Sequence, residues 1–585
     1  MPPQESGKFR RPSLILRNCR LLNVHSGEIY PTDITVDGGV VRSIDPVASP
    51  DADEVIDCGG LYAAPGLIDP HMHVDTTFLW PAELARVLVP LGTTTVFVDT
   101  TNISHVGGVP AVRALMDSFA GLPLKARFAA PSYCPLDPSL ETAAVDFSHE
   151  DIRTLLDAGC VSIGETVWSK INLGHGDYFE GIQLCRDRDC RVSGHGDAGS
   201  DDEAAFDAYV TAGIQDDHNL KYGRDIRPRL RRGLRLFCVE TAGRIGQLPR
   251  LLAEALLNKF PFRHMCLCVD NITVMDMVAA RFGYLDHLVK LALKVGVPPI
   301  EAYRMATLNP AEHYRLSDRV GAIAPGRSAD ILLLKDFDLF PPEWVFVDGK
   351  AVARSGRLLA EMPPTPCPES LRSTINLDKV ARLSLSVGAG TNESWAKVRV
   401  IEVRDSEAFN RALEAELPVV GGNVQPDLGR DMLIMAVVER YRRNGNVGRA
   451  FVKGFGLKRG AIASSLSIPS NNLVAVGTNE DDIWRALAHL EEIQGGFVVV
   501  DGGKILAQVL LPFGGIMSAE PYDDLVAKIK RADDAARGIG CTLANPFYTM
   551  AQTVLSTLPD LGLTDRGLVN ASLGRTVPVL VEATP

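Results

Sequence analysis

Between residues 81 and 270 the chain alternates two hydrophobic patterns. Short apolar runs rich in branched and aromatic residues (TTTVFVDT, KARFAAPSY, CVSIGET, CRVSGHG, AGIQDDH, LRLFCVE, MCLCVDN) each end in polar or small residues. Among them lie stretches with helical spacing, such as PAELARVLVPL, HEDIRTLLDAG, DDEAAFDAYVTAG and LPRLLAEALLNK. About eight strand–helix units over roughly 250 residues predict an α/β fold, a (β/α)8 TIM barrel. Reactive groups in such a barrel sit just past the strand ends.

A different pattern flanks the barrel. SLILRNCRLLNV, ITVDGGVVRSI and EVIDCGGLYAAPG, then ADILLLKD and WVFVDGKAVARSG, read as short strands, with a hairpin at Val36-Asp37-Gly38-Gly39. Residues 1–64 and 320–360 are therefore expected to build one composite β-sandwich domain bracketing a barrel at 65–319. The Pro-rich EMPPTPCPES at 361–370 reads as a linker. Residues 371–585 then form a third unit, α+β in class, with strands such as KVRVIEV and GGFVVVDGGKILAQVLL and helices such as DDIWRALAHLEEI. Its Gly-rich pieces, VKGFGLKRGAIASS and LPFGGIMS, match neither Walker nor dinucleotide patterns.

Composition narrows the chemistry. A length of 585 residues with 46% hydrophobic and 23% charged content is that of a globular chain of two or three domains. The net charge of -12 argues against general affinity for nucleic acid or an anionic membrane, both of which need a basic face. No signal-length apolar core follows the N-terminus and no uncharged stretch is long enough to span a bilayer, so a cytoplasmic protein is expected. The eleven cysteines are scattered and read as reduced core thiols, including the pair Cys266 and Cys268.

The candidate chemistry begins at PGLIDPHMHVDTT, where His71 and His73 stand at a strand end. Glu165 in SIGET, His195 in SGHG, His218 in DDH and Asp270 in VDN occupy later strand ends. Imidazoles with carboxylates suit zinc, manganese or iron, with a position left open for water.

The order of these groups, with RMATLNPAEHYRL and GAIAPGRSADILLL, resembles the amidohydrolase superfamily. Within it the chain is most similar to the adenine deaminase family, through LGTTTVFVD, IGE, the spacing from SGHG to AGIQDDH, and VKGF, GAIAS, VAVGTN and LPFGGIMS in matching order. The resemblance implies a barrel on a bracketing sandwich, a C-terminal domain, homo-oligomers (dimer or higher), and a binuclear centre. His71, His73 and Asp270 would bind one divalent ion, and Glu165 would bridge to a second held by His195 and His218. Such a pair acidifies a shared water, and Asp270 is the expected general base that passes its proton to the leaving nitrogen. The expected reaction is metal-dependent hydrolysis of a carbon–nitrogen bond by an activated hydroxide, deaminating adenine or a related amino-heterocycle.

Several residues depart from the family pattern. Thr101 and Asn102 replace a His-Glu pair, Asn219 follows His218 in place of Glu, and Val239 stands for an Arg although Glu240 is kept. Asn271 follows the last ligand, and Ile468-Pro469-Ser470-Asn471-Asn472 replaces HDSHN. Ionisable groups have become neutral, which alters what a buried site can recognise. A second reading therefore keeps the metal centre and hydrolyses another cyclic amide, lactam or amidine. Thr101, Asn102, Trp168, Asn219, Glu240 and Asn271 are the candidate substrate contacts. Lys170, His175 and Tyr178 follow Glu165 and are candidates for the same pocket or for a plain loop. A non-catalytic scaffold is a third reading, which retention of all six ligands disfavours. No G-x-S-x-G elbow and no H-x-E with P-C-x-x-C occurs, so serine hydrolysis and base editing are not indicated. His105 is expected at the surface, His287 and His313 on helices, and Asp197 near a helix start within reach of the cavity.

Overall fold

The computed structural model describes residues 11–48, 51–196, 202–241, 244–278, 282–363, 365–377, 383–390, 393–404, 410–557 and 560–581. The apolar runs of the middle segment are parallel strands: β1 (Leu67–Met72), β2 (Thr93–Asp99), β3 (Lys125–Ala130), β4 (Ser162–Val167), β5 (Arg191–His195), β6 (Asp216–Asp217), β7 (Arg235–Val239) and β8 (Met265–Cys268). Strands β1, β2 and β8 are buried along their whole length. Burial on both faces explains why they read as continuous apolar runs without alternation.

The expected ring of eight is laid out as two arcs. β5 to β1 form a five-stranded sheet in the order 5-4-3-2-1, and β6 to β8 a three-stranded one. At the first gap β6 is only two residues long, and the Asp216 carboxylate, not the main chain, accepts from Gly194 N at 3.1 Å. One backbone bond, Gln215 N to Val192 O at 3.0 Å, crosses there. At the second gap Asp270 N donates to His71 O at 3.2 Å and His73 N to Asp270 O at 3.1 Å. Asp270 adopts a left-handed φ of 64°, which a non-glycine residue holds only at a cost when its surroundings fix it.

Strands from both flanks share one nine-stranded sheet, because Ile331–Leu334 pairs antiparallel with Tyr62–Pro65. The foreseen hairpin joins Glu28–Asp37 to Val40–Ser43. Its turn residues Gly38 and Gly39 have φ of 59° and 82°, the left-handed pair that matches the strand twist. The C-terminal unit is β-rich: a ten-stranded sheet running from Val387–Gly388 to Lys504–Leu510, with helices Glu480–Glu492, Tyr522–Gly538 and Pro546–Thr553.

This unit is packed directly on the segment that follows β1. Phe78 meets Phe497 edge-on at 5.1 Å, Trp80 lies 4.7 Å from Phe513, and Phe497 stacks on Phe547 at 4.6 Å. Trp80 N donates to Ser518 O and Ser518 N to Phe78 O, both at 2.8 Å. All eleven cysteines are unpaired. Among the described residues no helix is long and apolar enough to cross a membrane.

One acid in this interface makes stability depend on pH. Asp533, on helix Tyr522–Gly538, is buried, and burial pushes its carboxyl up to about 7 from an ordinary 3.8. Asp534 and Asp276 add to the rise and Arg537 opposes it. A carboxyl raised on folding favours the protonated native state, so its contribution is complete below about pH 4 and is lost as pH rises through 7. Asp533→Asn should therefore stabilise the protein by roughly 2–4 kcal/mol at pH 8. Urea unfolding across pH 4 to 8 checks this, and the advantage should vanish at the acid end.

Candidate metal centre

Four of the six candidate ligands, all imidazoles, meet at one oxygen of a fifth, Glu165, and Asp270 stands beside them. Glu165 Oε1, on β4, lies 3.1 Å from His218 Nε2, 3.3 Å from His73 Nε2, and 3.5 Å from both His71 Nε2 and His195 Nδ1. Asp270 Oδ1, past the end of β8, is 3.7 Å from Nε2 of His71 and of His73. Ligand atoms of His71, Glu165, His218 and Asp270 all lie within 4.8 Å of one another. The rings of His71 and His218 stack at 4.4 Å. His71 and His73 reach the same centre because the chain leaves β1 at Met72 and turns into the three-residue helix Asp75–Thr77.

Electrostatics suit the cluster to a cation. Burial alone would raise Glu165, but the imidazoles of His195, His218 and His71 outweigh it and hold the carboxyl well below its usual range. Burial would lower His73, yet Glu165, Asp99 and Asp270 push it up to about 10. His71 Nε2, His73 Nδ1 and both ring nitrogens of His195 and His218 are buried without a hydrogen-bond partner. Buried polar atoms left in this state are costly, and coordination to divalent ions would satisfy one nitrogen of a ring that faces Glu165. The donor set therefore fits the expected zinc, manganese or iron.

Carboxylates behind the candidate ligands brace the main chain that carries them, a layer the sequence reading did not identify. Asp99 Oδ2 accepts from Glu165 N at 3.0 Å and its Oδ1 from Thr101 N at 2.8 Å. Gly164 is required there, since a Cβ would come within 2.1 Å of Asp99 Oδ2. Asp217 accepts from Gly196 N at 3.1 Å and Asn219 N at 2.9 Å, so it braces the chain beside both His195 and His218. Arg229 Nε, buried, bonds Asp217 Oδ2 at 2.6 Å. Asp69 Oδ1 accepts from His71 N at 3.3 Å, and burial raises its carboxyl to about 7. The signal was an acid next to or two residues before a ligand, as in Asp69-Pro70-His71 and Asp217-His218.

A cavity of about 640 Å3, its mouth included, opens above this floor, and Glu165 keeps 16% of its side chain exposed to it. Two of the candidate substrate contacts line it. Asn102 donates to Asp75 Oδ1 at 2.7 Å, and Asn271 donates to Asp270 Oδ1 at 2.7 Å while its own Oδ1 lacks a partner. Arg244, unforeseen, also lines the wall, with Nη2 3.7 Å from Asp270 Oδ2 and Nη1 donating to His218 O at 3.3 Å. The remaining four stand behind the wall. Thr101 begins helix Thr101–Ser118, Asn219 donates to Gly196 O at 2.7 Å, and Trp168 packs on Phe206 and Tyr209. Glu240 accepts from Gly246 N at 2.7 Å and Leu248 N at 2.9 Å, capping the start of helix Gln247–Leu257.

Other expectations resolve similarly. Lys170 pairs with Asp137 in a buried ion pair, and Tyr178 OH donates to Leu136 O at 3.0 Å, so both pin the loop after β3. His105 corrects the surface expectation: it is fully buried, its Nδ1 2.7 Å from Thr101 O and its Nε2 3.7 Å from Glu141. The C-terminal unit and the loop after β3 cover its helix, which local sequence does not reveal. His313 is buried 2.7 Å from Asp216, and His287 lies on helix Leu285–Val295. Asp197 lies outside the described residues.

Comparison with known proteins agrees with this chemistry. Residues 246–352 match the amidohydrolase family and residues 407–574 the adenine deaminase C-terminal domain. The adenine deaminase of Desulforamulus reducens is 35% identical over 571 residues, covering 97% of this chain and 96% of its own. Adenine deaminase 3 of Rhizobium meliloti is 35% identical over 98% of this chain and 97% of its own length. That of Methanothrix thermoacetophila is 35% identical over 97% of each. With full-length relatives at this identity and a His-His-Glu-Asp cluster at its strand ends, the chain belongs to the adenine deaminase family of metal-dependent amidohydrolases, which act on carbon–nitrogen bonds.

Proposed function

We propose that the protein hydrolyses adenine to hypoxanthine and ammonia. The observation that carries this reading is the single oxygen, Glu165 Oε1, ringed by four imidazoles beside Asp270 at the floor of a cavity that opens to solvent. His71, His73 and Asp270 would hold one divalent ion, His195 and His218 a second, with Glu165 between them. Bound ions of this kind supply an acidified water at neutral pH.

The chain's own groups supply the rest. Asp270 takes the water proton and returns it to the departing amine, so that ring carbon gains oxygen and nitrogen leaves as ammonia. Asn271 and Arg244 keep the Asp270 carboxylate oriented from either side. Substrate enclosed by the cavity walls leaves few competing waters at the reacting carbon.

The same reading treats β1 to β8 as one (β/α)8 barrel spanning 65–319, with 1–64 and 320–360 as the bracketing domain, 371–585 as the C-terminal α+β domain, and the chain as a homo-oligomer. The test is ammonia release, with the ultraviolet change from adenine, by protein reconstituted with manganese or zinc. Adenine turnover that chelation abolishes and metal restores is expected. No adenine turnover, together with hydrolysis of a cyclic amide or lactam in the same panel, would move the activity to ring opening.

A further inference from the structure

The barrel does not close the cavity by itself. Ile468 and Pro469, and then Gln552, Leu555 and Thr557, come from the C-terminal unit and line it together with His73, Glu165, His195 and Asp270. Leu136, from the loop after β3, completes this roof. The roof is firmly built. Ile468 N donates to Ala551 O at 3.0 Å, tying the Ile468-Pro469 loop to the helix that carries Gln552. Asn471 Nδ2 donates to Asn102 O at 3.1 Å and Asn472 Nδ2 to Thr142 O at 2.9 Å, tying that loop to the barrel. Leu136 N is held by Glu141 Oε1 at 3.1 Å.

Leu136, Ile468, Pro469 and Leu555 give this roof an apolar lining suited to the face of a flat ring. Gln552 is its one amide. Its Nε2 donates to the hydroxyl of buried Tyr548 at 3.1 Å, and among the described residues no donor reaches its Oε1. With one of its N–H groups held by Tyr548 and its oxygen unpaired, this amide presents an acceptor to whatever enters the cavity. The carbon that loses its amine must lie over Glu165 and Asp270, so the other end of a fused heterocycle meets the roof. In adenine that end is the five-membered ring, which carries an N–H donor.

Resting on the adenine reading above, we infer that Gln552 is a specificity-determining residue whose Oε1 accepts the ring N–H of the purine. The C-terminal unit thereby takes part in recognition. A site built to pair such a donor discriminates against rings that lack it.

The test compares wild type, Gln552→Leu and Gln552→Glu as metal-loaded full-length protein, with metal content and thermal midpoint as controls. KM and kcat for adenine are read together with equilibrium binding of hypoxanthine, which keeps the ring N–H but has no amine to lose. Leucine should raise KM about tenfold, leave kcat less affected, and weaken hypoxanthine binding by a similar factor. Glutamate, which retains the acceptor, should stay within a few fold of wild type. Folded, metal-replete Gln552→Leu with unchanged KM and hypoxanthine affinity would overturn the assignment, as would a glutamate variant as impaired as the leucine one. Wild type inactive on adenine instead overturns the proposed function. The roof assignment is then decided by the same leucine-against-glutamate comparison on whichever panel compound is turned over.

Discussion

Replacing Asp270 by asparagine is expected to lower adenine turnover by about 10²–10⁴-fold, the usual share of a positioned general base, while the protein stays folded. Asparagine is the informative substitution because the position has a left-handed φ of 64°, which asparagine tolerates better than most residues. It keeps an oxygen where Asp270 Oδ1 approaches His71 and His73, so much of the metal-binding geometry survives. Metal content by elemental analysis and turnover should therefore separate. An Asp270→Asn protein with full metal and wild-type turnover would remove Asp270 from proton transfer.

Glu165→Ala should be more severe still. Four imidazoles converge on Glu165 Oε1, and alanine leaves them with no central anion. Loss of an outer partner of a metal ligand typically costs roughly 10–100-fold in metal affinity. Removing the shared oxygen itself should exceed that and abolish detectable turnover at stoichiometric metal. Dialysis against graded metal followed by elemental analysis measures the first effect. Retention of two ions per chain would show that Glu165 does not lie between them.

The clustered residues were legible because chemistry on parallel α/β sheets is concentrated near strand ends, and each strand end is visible as an apolar run closing on a polar residue. His71, His73, Glu165, His195, His218 and Asp270 could be picked without knowing which strand neighbours which. The hairpin at Gly38-Gly39 and helix Glu480–Glu492 were equally local signals. What escaped depends on residues distant along the chain. His105 is buried by Glu141 and the C-terminal unit, and the cavity roof at Gln552 lies almost four hundred positions from Glu165. Glu240 and Trp168 carry the right chemistry at suggestive places, yet a helix start at Gln247 and the rings of Phe206 and Tyr209 engage them. Adjacency in sequence could not separate a cavity wall from the layer behind it.

The backbone of Asp270 also joins two parts of the molecule, since its amide and carbonyl carry the bonds between β8 and the end of β1. Whatever parts that seam moves the proposed base away from the imidazoles at the same moment. Heat should therefore inactivate the enzyme reversibly some degrees below the temperature at which its circular dichroism collapses. Amide exchange at Asp270 and His73 should quicken in that interval while the interiors of β2 and β3 remain protected.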